Sequence, residues 1–94
     1  MKKVKYSSHL IARIRIRKIP FNLPRKIYIE ADEYYLDNQT LLFIALKKVE
    51  HKGKIRDFIV AFKETGKVVE IITSHPLKPY QKEARVRSGR WTKL

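Results

Sequence analysis

The chain has 94 residues, and its 22 Lys and Arg against nine Asp and Glu give a formal charge of +13 at pH 7. This length predicts one domain, spanning residues 1–94, with a modest core. The sequence contains no cysteine, which excludes disulfides, thiolate zinc sites and cysteine nucleophiles. No apolar run approaches the ~18 residues of a membrane span, so we expect no membrane partner and a cytoplasmic location.

The positive charge is concentrated at the two ends of the chain. Residues 1–26 carry nine Lys or Arg and no acidic residue, and residues 75–94 carry six against the single Glu83. Residues 27–74 are close to neutral, with seven basic and eight acidic residues. A near-neutral centre between two basic ends indicates a polyanionic partner, and nucleic acid is the commonest one.

The first 20 residues predict a short edge strand, Lys3–Tyr6, and then a helix. Ser7 and Ser8 are expected to cap that helix, because a hydroxyl can accept a hydrogen bond from an unpaired N–H of the first turn. The helix would run from about His9 to Lys18. Residues 13–17 also alternate with period two, which is typical of a strand, so helix or strand stays open for residues 9–19, with the serine caps favouring the helix.

A second short helix is expected around Pro24, since proline is favoured at a first helical position and the pattern continues to Ala31. Glu33–Leu36 predicts a strand that ends at the turn residues Asp37 and Asn38.

Three β-rich runs follow: residues 41–49, 55–63 and 68–74. Hairpin-like turns at residues 51–53 and 65–66 separate them and predict an antiparallel meander. A basic tail from Tyr80 to Leu94 comes last, with about one helical turn near its start. The expected fold is therefore α+β: short N-terminal helices packed on an antiparallel β-meander of three to four strands, with a basic C-terminal tail.

Charge pairing favours one register for each hairpin. In the first, His51 would lie opposite Lys54 and Lys48 opposite Asp57. In the second, Thr65 and Gly66 would form the loop and Glu64 would face Lys67, which avoids opposing two lysines.

With those registers, four polar side chains converge at one end of the helix-facing side of the sheet. They are Lys47, Arg56, Thr73 and His75, with Arg56 directly across from His75. The opposite side is too apolar to be left in solvent, so we expect the C-terminal tail or another subunit to cover it.

Two cations, a hydroxyl and an imidazole are suited to RNA cleavage. A base takes the proton of the 2′-hydroxyl, an acid protonates the leaving oxygen, and cations stabilise charge on the phosphate. Histidine titrates near neutrality without perturbation. We expect neither a metal ion nor a cofactor in this reaction.

Each of these residues also has a simpler interpretation. His75 precedes a proline and can merely end the strand, and Arg56 and Lys47 can be solvated strand-end charges. His51 is interpreted as a turn residue only. Trp91 is expected to fold back over the sheet rather than stack on a base, because a lone tryptophan more often packs.

A second group of residues is expected to contact nucleic acid through phosphates or base stacking. Three lie on the first predicted helix, where residues four apart share a face, and five lie in the tail. They are His9, Arg13, Arg17, Lys78, Tyr80, Arg85, Arg87 and Arg90.

The chain is predicted to have a strand opening at Lys3–Ser7, then helices, a meander and a basic end. This order of elements resembles that of the small RNases of the barnase–EndoU–colicin–RelE group, and of RelE-type toxins especially. The segments 71–76 and 85–91 also resemble small bacterial and archaeal proteins placed near that group. The resemblance implies metal-independent mRNA cleavage, often on the ribosome. By position, the family's roles would fall to the following basic and aromatic residues, with His75 as acid or base: Lys47, Arg56, Tyr80, Arg85 and Arg87.

The leading hypothesis is therefore a toxin-like endoribonuclease that an acidic antitoxin protein silences. The alternative is a non-catalytic RNA- or ribosome-binding domain that uses the same charges for phosphate contacts. A third and weaker hypothesis is a small DNA-binding protein that reads DNA with its β-strands.

Overall fold

The computed structural model describes residues 2–94 as six strands and three helices. In chain order they are β1 (Lys3–Tyr6), α1 (Ser8–Arg17), α2 (Leu23–Glu30), β2 (Glu33–Asp37), β3 (Phe43–His51), β4 (Lys54–Thr65), β5 (Val68–Pro76), α3 (Gln81–Arg87) and β6 (Trp91–Lys93). None of the helices within this described part is long and apolar enough to cross a membrane.

All six strands belong to one mixed sheet with the order β1-β5-β4-β3-β2-β6. The predicted antiparallel meander is present as β2 to β5, each strand antiparallel to the next. β1 adds to β5 in parallel at one edge, and β6 adds to β2 in antiparallel fashion at the other. The α+β class is thus confirmed, but the sheet is larger than the expected three to four strands, and the tail forms a helix and an edge strand.

The first helix forms where the caps predicted it, and the strand alternative for residues 9–19 is wrong. The Ser7 hydroxyl accepts a hydrogen bond from the Leu10 amide at 3.0 Å, which satisfies one N–H of the first turn. Leu10 and Ile14 lie one turn apart and are both buried, so they form the helix face that packs on the sheet. Lys18 ends the helix with a left-handed backbone, φ 53°.

Each face of the sheet has its own hydrophobic cluster. On one face, α1 and α2 pack over a cluster of buried residues: Leu10, Ile14, Ile19, Ile27, Ala45, Phe58, Val60, Phe62, Val69 and Ile71. The other cluster contains Tyr35, Ile44, Leu46, Ile59, Ala61, Leu77 and Trp91. Leu77 and Trp91 follow the meander in sequence, so the C-terminal segment contributes to the second apolar face, as expected.

The first hairpin has the predicted register, with His51 opposite Lys54 and Lys48 opposite Asp57. The second does not. Thr65 pairs with Val68, so the loop is Gly66-Lys67, and Glu64 faces Val69 instead of Lys67. Gly66 has φ 59°, the positive value that a two-residue hairpin loop needs at its first position. Turn geometry therefore outweighs a cross-strand charge pair worth only ~0.2–1 kcal/mol.

A β-bulge in β5 changes the far end of the sheet. Phe62 pairs with Ile71 and Ala61 with Thr73, so Ile72 has no partner residue on β4. One extra residue reverses the alternation of faces. His75 consequently lies opposite Ile59, and the expected pairing of His75 with Arg56 is wrong.

Ser7 connects this bulge to the start of α1. Its hydroxyl donates to the Ile72 carbonyl at 2.9 Å while it accepts from the Leu10 amide.

Ser7→Ala removes both hydrogen bonds, and we expect the free energy of unfolding to fall by about 1–2 kcal/mol. Urea denaturation measures this change. Ser8→Ala, an exposed neighbour with no side-chain hydrogen bond within residues 2–94, is the control, and equal losses in the two variants would contradict the role of Ser7.

Candidate functional site

A cavity of about 420 Å³ opens where the β3–β4 turn, the end of β5 and the end of α1 meet. Two histidines and three cations face it together with two apolar residues. The lining residues are Arg17, Ile19, His51, Lys52, Arg56, His75 and Pro76. Two imidazoles and three cations thus lie at one end of the sheet. The predicted first-hairpin register places His51 and Arg56 there, whereas His75 arrives by a second register that the sequence did not predict.

The local backbone accounts for this arrangement. Lys52 and Gly53 both have positive φ, 53° and 80°, which is typical of a tight two-residue hairpin loop and holds His51 at the last pair of the β3–β4 ladder. Arg56 follows two residues after the start of β4. Arg17 lies at the end of α1, where its Nη1 donates to the Ser74 carbonyl at 3.4 Å.

His75 is partly buried, and its ring is fixed by one hydrogen bond. Its Nδ1 lies 3.0 Å from the Pro76 carbonyl. A carbonyl can only accept, so this bond requires the proton on Nδ1 and leaves the lone pair of a neutral ring on Nε2. Burial lowers the pKa of His75 from its ordinary value, and the Arg17 and Arg85 charges lower it further, against the opposing effect of the Pro76 hydrogen bond.

His51 is the functional candidate that sequence reasoning missed. Its ring packs edge-on against the buried Phe58, with centroids 5.3 Å apart. Burial lowers the pKa of His51, and the neighbouring Lys52 and Arg56 charges add to that effect. The predicted first-hairpin register already placed His51 and Arg56 near one strand end, and this was the available signal.

The charge in the cavity is not neutralised locally. None of the lining residues is an Asp or Glu. Arg17, Lys52 and Arg56 take part in none of the ion pairs described for residues 2–94. An anion entering the cavity would meet three cations that no carboxylate competes for.

Two of the four predicted catalytic residues lie outside this cavity. Lys47 lies opposite the buried Phe58, and its Nζ is 4.0 Å from a carboxylate oxygen of Glu30 on α2. Thr73 pairs with Ala61 and does not line the cavity. Arg56 and His75 are the predicted pair that the structure brings to one cavity.

The eight predicted nucleic-acid contacts lie in several different environments. On α1, Arg17 lines the cavity while His9 and Arg13 do not. In the tail, Lys78 lines a second cavity, and Tyr80 and Arg87 are exposed.

Two of the tail arginines make contacts within the fold. The guanidinium carbon of Arg85 lies 5.2 Å from the centre of the buried Trp91 ring, a cation–π geometry. Trp91 itself is 2% exposed and packs on Tyr35, as expected for a tryptophan that folds back over the sheet. Arg90 donates through Nε and Nη2 to Asp37 at 3.1–3.3 Å.

Asp37 is one of the two buried polar residues described. Burial would raise the pKa of Asp37, but hydrogen bonds from Arg90 and from the Gln39 and Thr40 amides lower it overall. Arg90 is therefore the counter-ion that permits a carboxylate inside the fold, which is a sufficient reason for its position.

Comparisons with known proteins find no relative: no family model, curated protein or solved structure matches the chain significantly. Residues 2–94 also contain no group of three or more His, Asp or Glu side chains arranged to hold a metal ion.

Removing the counter-ion tests the structural role of Arg90. Arg90→Ala leaves Asp37 buried without a partner, and we expect unfolding to become easier by about 3 kcal/mol, near the lower end of the range for broken buried pairs, because a third of the Arg90 side chain is exposed. Thermal and urea denaturation measure the loss. The exposed Arg87→Ala is the control, with a change within about 0.5 kcal/mol; a similar stability for both variants would show that Arg90 is not needed by Asp37.

The lowered pKa of His75 predicts a specific pH dependence of stability. The folded state disfavours the protonated ring, so the contribution of the neutral ring is complete above the ordinary pKa of 6.5 and is lost as pH falls through the lower folded value. Urea denaturation between pH 8 and pH 5 should therefore show a smaller pH-dependent loss in His75→Ala than in the unmodified chain. An identical pH dependence in both proteins would contradict the burial of a neutral imidazole.

Proposed function

We propose that the protein is a ribonuclease that cleaves RNA through the 2′-hydroxyl without a metal ion. The observation that carries the proposal is one cavity in which His51 and His75 lie among Arg17, Lys52 and Arg56. Two groups that titrate near neutrality can supply both the base and the acid of this reaction. The cations can bind the phosphate and offset the charge it gains.

His75 is assigned as the base, because the Pro76 carbonyl holds its Nδ1 proton and leaves Nε2 free to accept one. Nε2 takes the 2′-hydroxyl proton as that oxygen attacks the adjacent phosphorus. The bond from phosphorus to the 5′-oxygen breaks, and protonated His51 gives its proton to this leaving oxygen. The products are a 2′,3′-cyclic phosphate and a 5′-hydroxyl, so atoms and protons balance.

The lowered pKa values of both histidines give this mechanism a characteristic pH profile. Catalysis needs one ring neutral and the other protonated. Because burial and neighbouring cations lower both pKa values below 6.5, we expect a bell-shaped profile of kcat/KM with its maximum on the acidic side of pH 6.5.

A non-catalytic RNA- or ribosome-binding domain is the second candidate. One observation favours it: within residues 2–94, neither imidazole of the cavity is hydrogen-bonded to a carboxylate that would orient it for proton transfer. The same cations would then serve only phosphate binding. The RelE-type toxin resemblance remains a proposal in either case, as does an acidic antitoxin protein that would complement the charge of +13.

Incubation of the purified protein with labelled single-stranded RNA in EDTA tests the proposal. We expect fragments with 2′,3′-cyclic phosphate ends, and a loss of about 10²–10⁴-fold in kcat for His75→Ala and for His51→Ala. DNA of the same sequence should bind but stay intact, because it lacks the attacking hydroxyl.

The third histidine supplies the matched control. His9 is exposed on α1 and does not line the cavity, so His9→Ala should keep kcat. RNA that is bound but never cut, on free RNA and on translating ribosomes alike, would overturn the ribonuclease in favour of the binding domain. Cleavage that persists in the His51 and His75 variants would place the chemistry elsewhere.

A further inference from the structure

A second cavity, of about 370 Å³, lies beside the first and shares Arg56 with it. The chain also connects them directly. Pro76 lines the first cavity and Leu77 the second, while the β3–β4 hairpin contributes Lys52 to one and Lys54 to the other. Arg56 therefore stands between two adjoining depressions at the same end of the sheet.

The second cavity is also basic. Its Lys48 is 3.2 Å from the Asp57 carboxylate, so that pair is locally neutral. Lys54 and Lys78 are exposed and take part in none of the ion pairs described for residues 2–94. Together with Arg56 they leave three lining cations that no described ion pair neutralises, and such cations can bind phosphate.

Exposed apolar side chains accompany these cations. Ile55 is 75% exposed and lines the cavity between Lys54 and Arg56 in sequence. Tyr80 follows the lining residue Pro79, is 83% exposed, and has the left-handed backbone φ 68°. That conformation costs a non-glycine residue ~1–2 kcal/mol, and an exposed ring held this way is available for stacking on a base.

We infer that the second cavity binds the nucleotide next to the one cleaved, with its phosphate on Lys54 and Lys78 and its base on Tyr80. The inference rests on the proposed function for the identity of the first cavity. The bound substrate would then be a single RNA strand that runs from the first cavity past Arg56 into the second, rather than one phosphodiester alone. The bound RNA must be single-stranded there, because a base can stack on Tyr80 only when it is unpaired.

The test compares Lys54→Ala/Lys78→Ala with Lys3→Ala/Lys26→Ala, a control that removes the same charge from exposed positions that line neither cavity. Cleavage of a hexanucleotide should fall about tenfold in kcat/KM only in the first variant, while a dinucleotide with one phosphodiester should react alike in both. Tyr80→Ala should lose about tenfold on the hexanucleotide, a typical loss for one base stack, and Tyr80→Phe should not.

Binding of a 2′-O-methyl hexanucleotide, which cannot be cleaved, separates this inference from the proposed function. The slope of log affinity against log salt should be smaller by about 1.4 in Lys54→Ala/Lys78→Ala, since each single-strand phosphate contact contributes about 0.7. That slope difference, found together with no cleavage of the ordinary hexanucleotide by the unmodified chain, would support a phosphate-binding second cavity and refute the ribonuclease. Equal hexanucleotide binding by the two double variants, or no binding by the unmodified chain, would overturn the subsite.

Discussion

The site depends on Ser7, which joins α1 to the bulge of β5. Its amide donates to the Ile71 carbonyl at 3.0 Å and its hydroxyl to the Ile72 carbonyl at 2.9 Å. The same hydroxyl accepts from the first turn of α1. The Ile72 carbonyl, which lies at the bulge, is therefore hydrogen-bonded, so the bulge leaves no unpaired carbonyl at this position in a half-buried strand. It also fixes where α1 begins, and hence where Arg17 lies at its other end.

The two basic ends of the chain meet near His75. Arg17 comes from the first 26 residues and Arg85 from the last 20, and both charges act on that imidazole. Their combined effect, together with burial, is to lower the pKa of His75 and favour a neutral ring. A phosphate bound in the first cavity would reverse that balance, since its negative charge would offset the cations and favour protonation of the ring.

The predictable parts of this fold are those set by local chemistry. Ser7, Pro24 and the Lys52-Gly53 turn led to the helices and the first hairpin, because caps and tight turns depend on neighbouring residues. The second hairpin was set by the positive φ of Gly66, which outweighed the charge pairs used to predict its register.

What the sequence did not reveal depends on contacts between distant segments. The parallel pairing of β1 with β5 and the addition of β6 to β2 join residues more than 50 positions apart. The bulge at Ile72 is supported by Ser7, some 65 residues earlier. It moved His75 opposite Ile59, while the turn interpretation of His51 concealed the second imidazole.

An NMR titration of the histidine rings with a non-cleavable 2′-O-methyl dinucleotide tests whether His51 and His75 form one phosphate-binding site. If the phosphate binds in the first cavity, the ring resonances of His51 and His75 should shift and the pKa of each should rise on binding. The His9 ring, outside that cavity, should stay unchanged. Shifts confined to His9, with His51 and His75 unaffected, would contradict a phosphate site built on the two cavity histidines.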